Sequence, residues 1–208
     1  DSFTGFENII GSSAADSILG NSENNTIEGG LGDDIMDGGA GVDTLSYAST
    51  PSAVTLNLSP GTSSGGAGND TFTGFENIIG SSAADSILDG TANNTIEGGL
   101  GDDTMDGGDG LDTLSYASAT SAITVDLSVG TASGGAGNDS ITNFENVIGS
   151  SAADSIIGDS ANNTIDGGLG EDTLDGGAGS NALSYASSTL AVTMNLSAGT
   201  ASGGAGND

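Results

Sequence analysis

The sequence contains no lysine, arginine, histidine, cysteine or tryptophan, and its 29 acidic residues leave a formal net charge of -29. Without a side-chain cation nothing can neutralise phosphates, which excludes a nucleic-acid partner and disfavours anionic membrane surfaces. Without cysteine there is no disulfide framework. The missing His, Lys, Cys and Arg remove the usual bases, nucleophiles and oxyanion partners, so the only catalytic chemistry left is a carboxylate pair of the glycosidase kind. No apolar run approaches the ~20 residues that span a bilayer, so membrane insertion is not expected. The chain starts at Asp1 without an initiator Met or a cleavable leader, and it reads as a piece of a longer protein.

High charge, scarce aromatics and 38 glycines would ordinarily argue for disorder. Strict periodicity argues the other way. Three nearly verbatim 69-residue copies follow one another, giving modules 1–70, 71–139 and 140–208, with Asp1 standing where Asp70, Asp139 and Asp208 close the motif GGAGND. Self-similarity on this scale is the signature of a repeat architecture.

Inside each module a shorter unit recurs. Residues 29–46, GGLGDDIMDGGAGVDTLS, are two nine-residue units of the form G-G-x-G-x-D-x-U-x, with U a large apolar residue. Gly29, Gly30 and Gly32 precede Asp34 and Met36; Gly38, Gly39 and Gly41 precede Asp43 and Leu45. Glycine permits positive φ, turning carbonyls inward around a closing carboxylate, and the apolar residue then sits on one face of a short strand. Oxygen ligands without His or Cys suit a hard cation, and a flexible multi-oxygen turn suits calcium better than magnesium. The pattern resembles the nonapeptide of the repeats-in-toxin (RTX), haemolysin-type calcium-binding family. That resemblance implies an all-β, right-handed parallel β-roll or β-solenoid, with two units per coil and calcium between turns stacked one coil apart.

The second module divides into seven nine-residue units and one six, hence about four coils per module and ~19 Å of length at ~4.8 Å per coil. Full turns are expected at Gly65, Gly66, Gly68 and Asp70; at Gly98, Gly99, Gly101 and Asp103; at Gly107, Gly108, Gly110 and Asp112; and at Gly134, Gly135, Gly137 and Asp139. Asp172 closes a turn that contains Glu171. Asp16, Asp85 and Asp154 close GSSAAD, in which Ser and Ala replace glycines. Asn25, Asn94, Asn163 and Asn181 lack the charge, and turn hydrogen bonding is expected of them. The register stacks Asp70, Asp85 and Asp103 on one side and Asn94 and Asp112 on the other, with Asp1, Asp16 and Asp34, and Asp139, Asp154 and Asp172, as the equivalent sets. Glu7, Glu76 and Glu145 either support the ion's ligands from outside, or cap the turn as acceptors, or are solvated. Tyr47, Tyr116 and Tyr185 cover the coil.

The stretches AVTLNL, AITVDL and AVTMNL alternate apolar and polar residues as half-buried strands do. They are expected to form a coil without an ion, with Val54, Leu56, Leu58, Val192, Met194 and Leu196 inward and Pro51 and Pro60 at its turns.

Every conspicuous Asp recurs with a structural explanation, so no catalysis is expected. Two functions follow. One is a calcium-stiffened extracellular rod, as in an adhesin, matrix fibre, filament or surface-layer protein, whose partners are calcium and further copies end to end. The other is the folding and secretion appendage of a toxin or hydrolase. The resemblance implies a bacterial, type I secreted protein in both cases.

Overall fold

The computed structural model describes residues 2 and 4–208; the expected place of Asp1 in a turn stack lies outside them. Every element among these residues is a strand of two to six residues, and no helix occurs. The chain alternates between two facing sheets. The first takes Asn8–Ile10, Thr26–Glu28, Thr44–Ser46, Asn77–Ile79, Thr95–Glu97, Thr113–Ser115, Asn146–Ile148, Thr164–Asp166 and Ala182–Ser184, every pair parallel. It runs without interruption from one module into the next, through Leu45 opposite Ile78 and Leu114 opposite Val147.

Such strands are stable at three residues because each contributes one central side chain to a single interior ladder. Ile27, Met36, Leu45, Ile78, Ile87, Ile96, Met105, Leu114, Ile141 and Ile156 are all nearly inaccessible. Most of their flanking residues are exposed or half-buried, as the period of two demands, with Glu28, Ser46 and Ser115 covered. Met36 and Leu45 are the U positions of the nonapeptides, so the all-β roll expected from the repeat is the fold observed.

The second sheet departs from expectation in one region. Its parallel pairs, such as Ile18 opposite Met36 and Ile87 opposite Met105, are interrupted once per module. Val54–Asn57, Thr62–Gly65 and Thr71–Thr73 form an antiparallel meander, with Val54–Asn57 pairing onward to Ser86–Leu88 and Thr71–Thr73 back to Ile35–Asp37. Ile123–Asp126, Thr131–Gly134 and Gly137–Thr142 repeat it. The ion-free segment is therefore a hairpin excursion and not a fourth coil. Pro60 lies in the turn between its first two strands, where the missing N–H does no harm.

In the central repeat the first sheet contributes three strands and the second five. At ~4.8 Å per strand this is about 14 Å against about 24 Å. The two walls cannot both stay straight, so the roll bends or the second sheet bows at each junction, unlike the uniform four-coil rod expected.

The meander's inward residues are buried where a following module covers them. Val54, Leu56, Ile123 and Val125 are at most 2% exposed, whereas Met194 and Leu196, also expected inward, are 56% and 88% exposed. The reason lies in pairing. Val192–Asn195 belongs to a separate three-stranded sheet and has no partner on the edge that Val54–Asn57 and Ile123–Asp126 use to bind the next module.

Candidate metal centre

The turns between strands stack along the two edges of the roll. On the first edge the Oδ1 of each closing aspartate accepts the main-chain N–H of its counterpart one rung earlier: Asp34 from Asp16 at 2.9 Å, Asp70 from Asp34 at 3.0 Å, Asp103 from Asp85 at 2.8 Å, Asp139 from Asp103 at 3.0 Å, Asp172 from Asp154 at 2.9 Å and Asp208 from Asp172 at 2.8 Å. The stacks are thus Asp16–Asp34–Asp70, Asp85–Asp103–Asp139 and Asp154–Asp172–Asp208, one member out of step with the sequence register. The meander causes the shift, because Val54 and Ile123, not Asp70 and Asp139, donate to Asp85 and Asp154.

The second edge holds Asn25–Asp43–Glu76 and Asn94–Asp112–Glu145. Asp43 and Asp112 accept from Asn25 and Asn94 and donate their own N–H to Oε2 of Glu76 and Glu145, each at 2.9 Å. Glu76 and Glu145 therefore cap these turns and are not simply solvated. In the third module Asn163 donates to Oδ1 of Asn181.

The second carboxylate oxygen separates the turns into kinds. In Asp34, Asp103 and Asp172 on the first edge, and Asp43 and Asp112 on the second, Oδ2 is buried and has no hydrogen-bond partner. A Cβ on Gly29, Gly98 or Gly167 would stand 2.2–2.3 Å from that oxygen in the same turn. Here only glycine leaves the cradle open, although its φ is not positive. Positive φ belongs to the second and fourth turn positions, for instance 94° at Gly30 and 127° at Gly32. Main-chain carbonyls crowd the same region, with Ser12 O 2.0 Å from where a Cβ of Gly30 would stand. Burial pushes Asp34 above the ordinary carboxylate value, and pushes Asp103 to about 7 and Asp172 to about 6, with neighbouring carboxylates adding to the rise.

Asp16, Asp85 and Asp154 solve the same problem internally. Ser81 donates its N–H to Asp85 Oδ2 at 2.5 Å and its hydroxyl to Oδ1 at 2.8 Å; Ser150 does the same for Asp154, and Ser12 for Asp16 at 2.6 and 3.2 Å. The serines that replace glycine thus satisfy these carboxylates.

Asp70 and Asp139 stand in a third setting. Gly65, Gly66 and Gly68, and Gly134, Gly135 and Gly137, expected as calcium turns, instead close tight antiparallel hairpins, with Gly134 paired to Gly137 and Gly68 donating to Gly65. Asp70 Oδ2 accepts from the Tyr47 and Ser63 hydroxyls, and Asp139 Oδ2 from Tyr116 at 2.6 Å. The tyrosines brace the stack as well as covering it. Burial raises their own ionisation far above the ordinary phenol value.

The third module supplies a natural contrast. Asn181 replaces the closing aspartate of the second edge, and its amide Nδ2 donates to the turn's own carbonyls, at 2.9 Å to Ala178 and 3.4 Å to Gly177. A donor therefore fills the carbonyl cup where the carboxylate is missing. With aspartate in place, as at Asp43 and Asp112, the cup has a carboxylate rim whose Oδ2 is buried without a donor, a setting that suits a cation. Among the described residues no three acidic side chains converge on one point, so any ion must draw on main-chain oxygens, as a hard cation readily does. The donor set fits calcium, which Asp34, Asp103, Asp172, Asp43 and Asp112 and their glycine turns would hold.

Several structural roles left no mark in the nonapeptide pattern. The residue before the closing position also ties rungs together, through Asp33 to Asn69, Asp102 to Asn138, Asn24 to Val42 and Asn93 to Leu111. Glu28 and Glu97 accept from Ser49 and Ser118 across the start of the meander. The 18- and 36-residue recurrence of acidic and amide side chains was the available signal.

A sequence model described as RTX calcium-binding nonapeptide repeat matches residues 10–45, 62–76, 79–114, 131–142 and 148–183, in four copies, more than half of the chain. A search of curated proteins returns no match. No helix among the described residues is long and apolar enough to cross a membrane.

Proposed function

The chain belongs to the RTX calcium-binding nonapeptide repeat family, and from that premise we propose that it is a calcium-stabilised structural segment of an extracellular array, without catalytic function. The observation that carries this reading is the buried carboxylate oxygen with no protein partner in each of the glycine turns closed by Asp34, Asp43, Asp103, Asp112 and Asp172. A buried anion without a counter-charge costs several kcal/mol, and this chain has no cation of its own. Calcium supplies the missing positive charge when bound. The glycine turns place the oxygens, the interior ladder fixes the spacing between turns, and the serine-capped turns hold the rungs between.

The near-identity of the modules favours a length-setting array over a secretion appendage, since solenoid length follows copy number. Extracellular calcium modules typically bind at ~10⁻⁴ to 10⁻³ M, which fits a chain that folds after export. The free edge of Val192–Asn195, with exposed Met194 and Leu196 beside it, favours continuation by another module, in the same chain or in a second copy.

Circular dichroism during calcium titration tests the reading, with magnesium as control. Calcium is expected to produce the β-sheet signal cooperatively and magnesium to fail at equal concentration. A folded spectrum that persists in EGTA at neutral pH would sink the proposal. The rod reading is tested by scattering from chains of three and six modules in calcium: maximum dimension should rise with copy number, and a compact six-module particle would contradict it.

A further inference from the structure

The second edge differs among modules at one position. The unit preceding its first asparagine reads GNSENN at residues 20–25, DGTANN at 89–94 and GDSANN at 158–163, so Asp89 stands where the other modules have Gly20 and Gly158. In those modules the following residue's N–H satisfies the asparagine's side-chain oxygen, Asn21 donating to Asn25 Oδ1 at 2.8 Å and Asp159 to Asn163 Oδ1 at 2.9 Å. A Cβ on Gly20 or Gly158 would stand 2.5–2.6 Å from that same oxygen, so a side chain there must disturb the bond.

The second module has been rearranged accordingly. Gly90 gives its N–H to Asp89 Oδ1 at 2.6 Å, and Asn94 Oδ1 is left without a partner. Asp89 Oδ2 and Asp112 Oδ2 are likewise buried and unpartnered, and the three residues are 6%, 4% and 0% exposed. They belong to adjacent rungs. Asn94 donates to Asp112 at 2.8 Å, Asp109 to Gly90 at 3.0 Å, and a Cβ on Gly108 would stand 2.5 Å from Gly90 O. Burial, with Asp112 as the foremost neighbouring charge, pushes Asp89 up to about 6.

We propose that Asp89, Asn94 and Asp112 form a calcium site specific to the second module, in which Asp89 is a side-chain ligand taken from a position the repeat reserves for glycine. Two carboxylates and an amide oxygen give it more charge than any other turn on that edge, and charge count is one of the levers that set calcium affinity. The site rests on the calcium reading proposed above.

The test counts calcium ions bound to the full 208-residue chain by equilibrium dialysis and isothermal titration, comparing wild type with Asp89→Gly, which restores the residue of the other modules, and Asp89→Asn, which keeps shape and removes charge. The expected result is a roughly tenfold or larger weakening of one site in both variants, down to the affinity of the Asp43 turn in Asp89→Gly, with the β-sheet signal of both intact in saturating calcium. Should Asp89→Gly not fold, the Asp89→Asn affinity decides. Wild-type counts and affinities in the variants would overturn Asp89 as a ligand while leaving the calcium reading standing. A wild-type chain that takes up no calcium would overturn both.

Discussion

Asp85 and Asp103 occupy adjacent rungs of one edge, 18 residues apart, joined by a hydrogen bond from the first to the second. Asp85 receives an N–H and a hydroxyl from Ser81 inside its own turn and a further N–H from Val54. Asp103 spends one oxygen on the rung before it and keeps the other buried with no partner. The first turn is complete as protein and the second is complete only with something added. On the calcium reading proposed above, alternating the two kinds of turn confines the need for an ion to particular rungs, while a main-chain N–H to a carboxylate ties each rung to the next.

The broadest way to sharpen that contrast is pH without calcium. Asp103 is raised to about 7 and Asp172 to about 6 from an ordinary value of 3.8. Between about 4 and 7 the folded chain therefore holds protons that the unfolded chain has released, and stability falls as pH rises through that window. The metal-free chain is expected to show more β-sheet signal at pH 5 than at pH 8, with the difference closing in saturating calcium. Equal or greater metal-free folding at pH 8 would mean that the unpartnered oxygens carry no such penalty.

Acting on one rung alone, Gly98→Ala places a Cβ 2.3 Å from Asp103 Oδ2 and 3.1 Å from the Met105 sulfur, closing the cradle without demanding a positive φ. Overpacking costs ~1–3 kcal/mol and a lost ion about as much again near 100-fold saturation. The expected outcome is one fewer calcium and a destabilisation of about 3 kcal/mol or more by denaturant titration. An unchanged ion count would show that Asp103 does not close a metal site.

The nonapeptide made the roll, its inward ladder and the glycine-turn aspartates Asp34, Asp43, Asp103 and Asp112 legible, because period and turn chemistry there are set within nine residues. The meander was less so. Dividing the module into seven nines and one six kept the arithmetic whole, yet Val129–Gly130 and Gly135–Ala136 bracket Thr131–Gly134 at hairpin spacing, a signal that outweighs a unit length. Misplacing that hairpin moved Asp70 and Asp139 one stack along. Asp89 stayed hidden for another reason: at a degenerate unit a carboxylate in a glycine position looks like decay of the repeat, and only the loss of the Asn94 hydrogen bond gives it meaning.

The smallest effect falls on the self-sufficient turn, and it decides whether the two kinds are chemically distinct. Ser81→Ala removes the hydroxyl that donates to Asp85 Oδ1 at 2.8 Å but leaves the main-chain donor to Oδ2 in place. A hydrogen bond to a charged acceptor is worth ~1.5–3 kcal/mol when nothing replaces it. Val54 still donates to the same oxygen, which brings the expected loss down to about 1 kcal/mol. Calcium stoichiometry and midpoint should stay at wild-type values, because the carboxylate remains held by protein donors. If the substitution instead lowered the number of ions bound, Ser81 would be part of a metal site and the division into complete and incomplete turns would fail, since both rungs would then depend on the same cation.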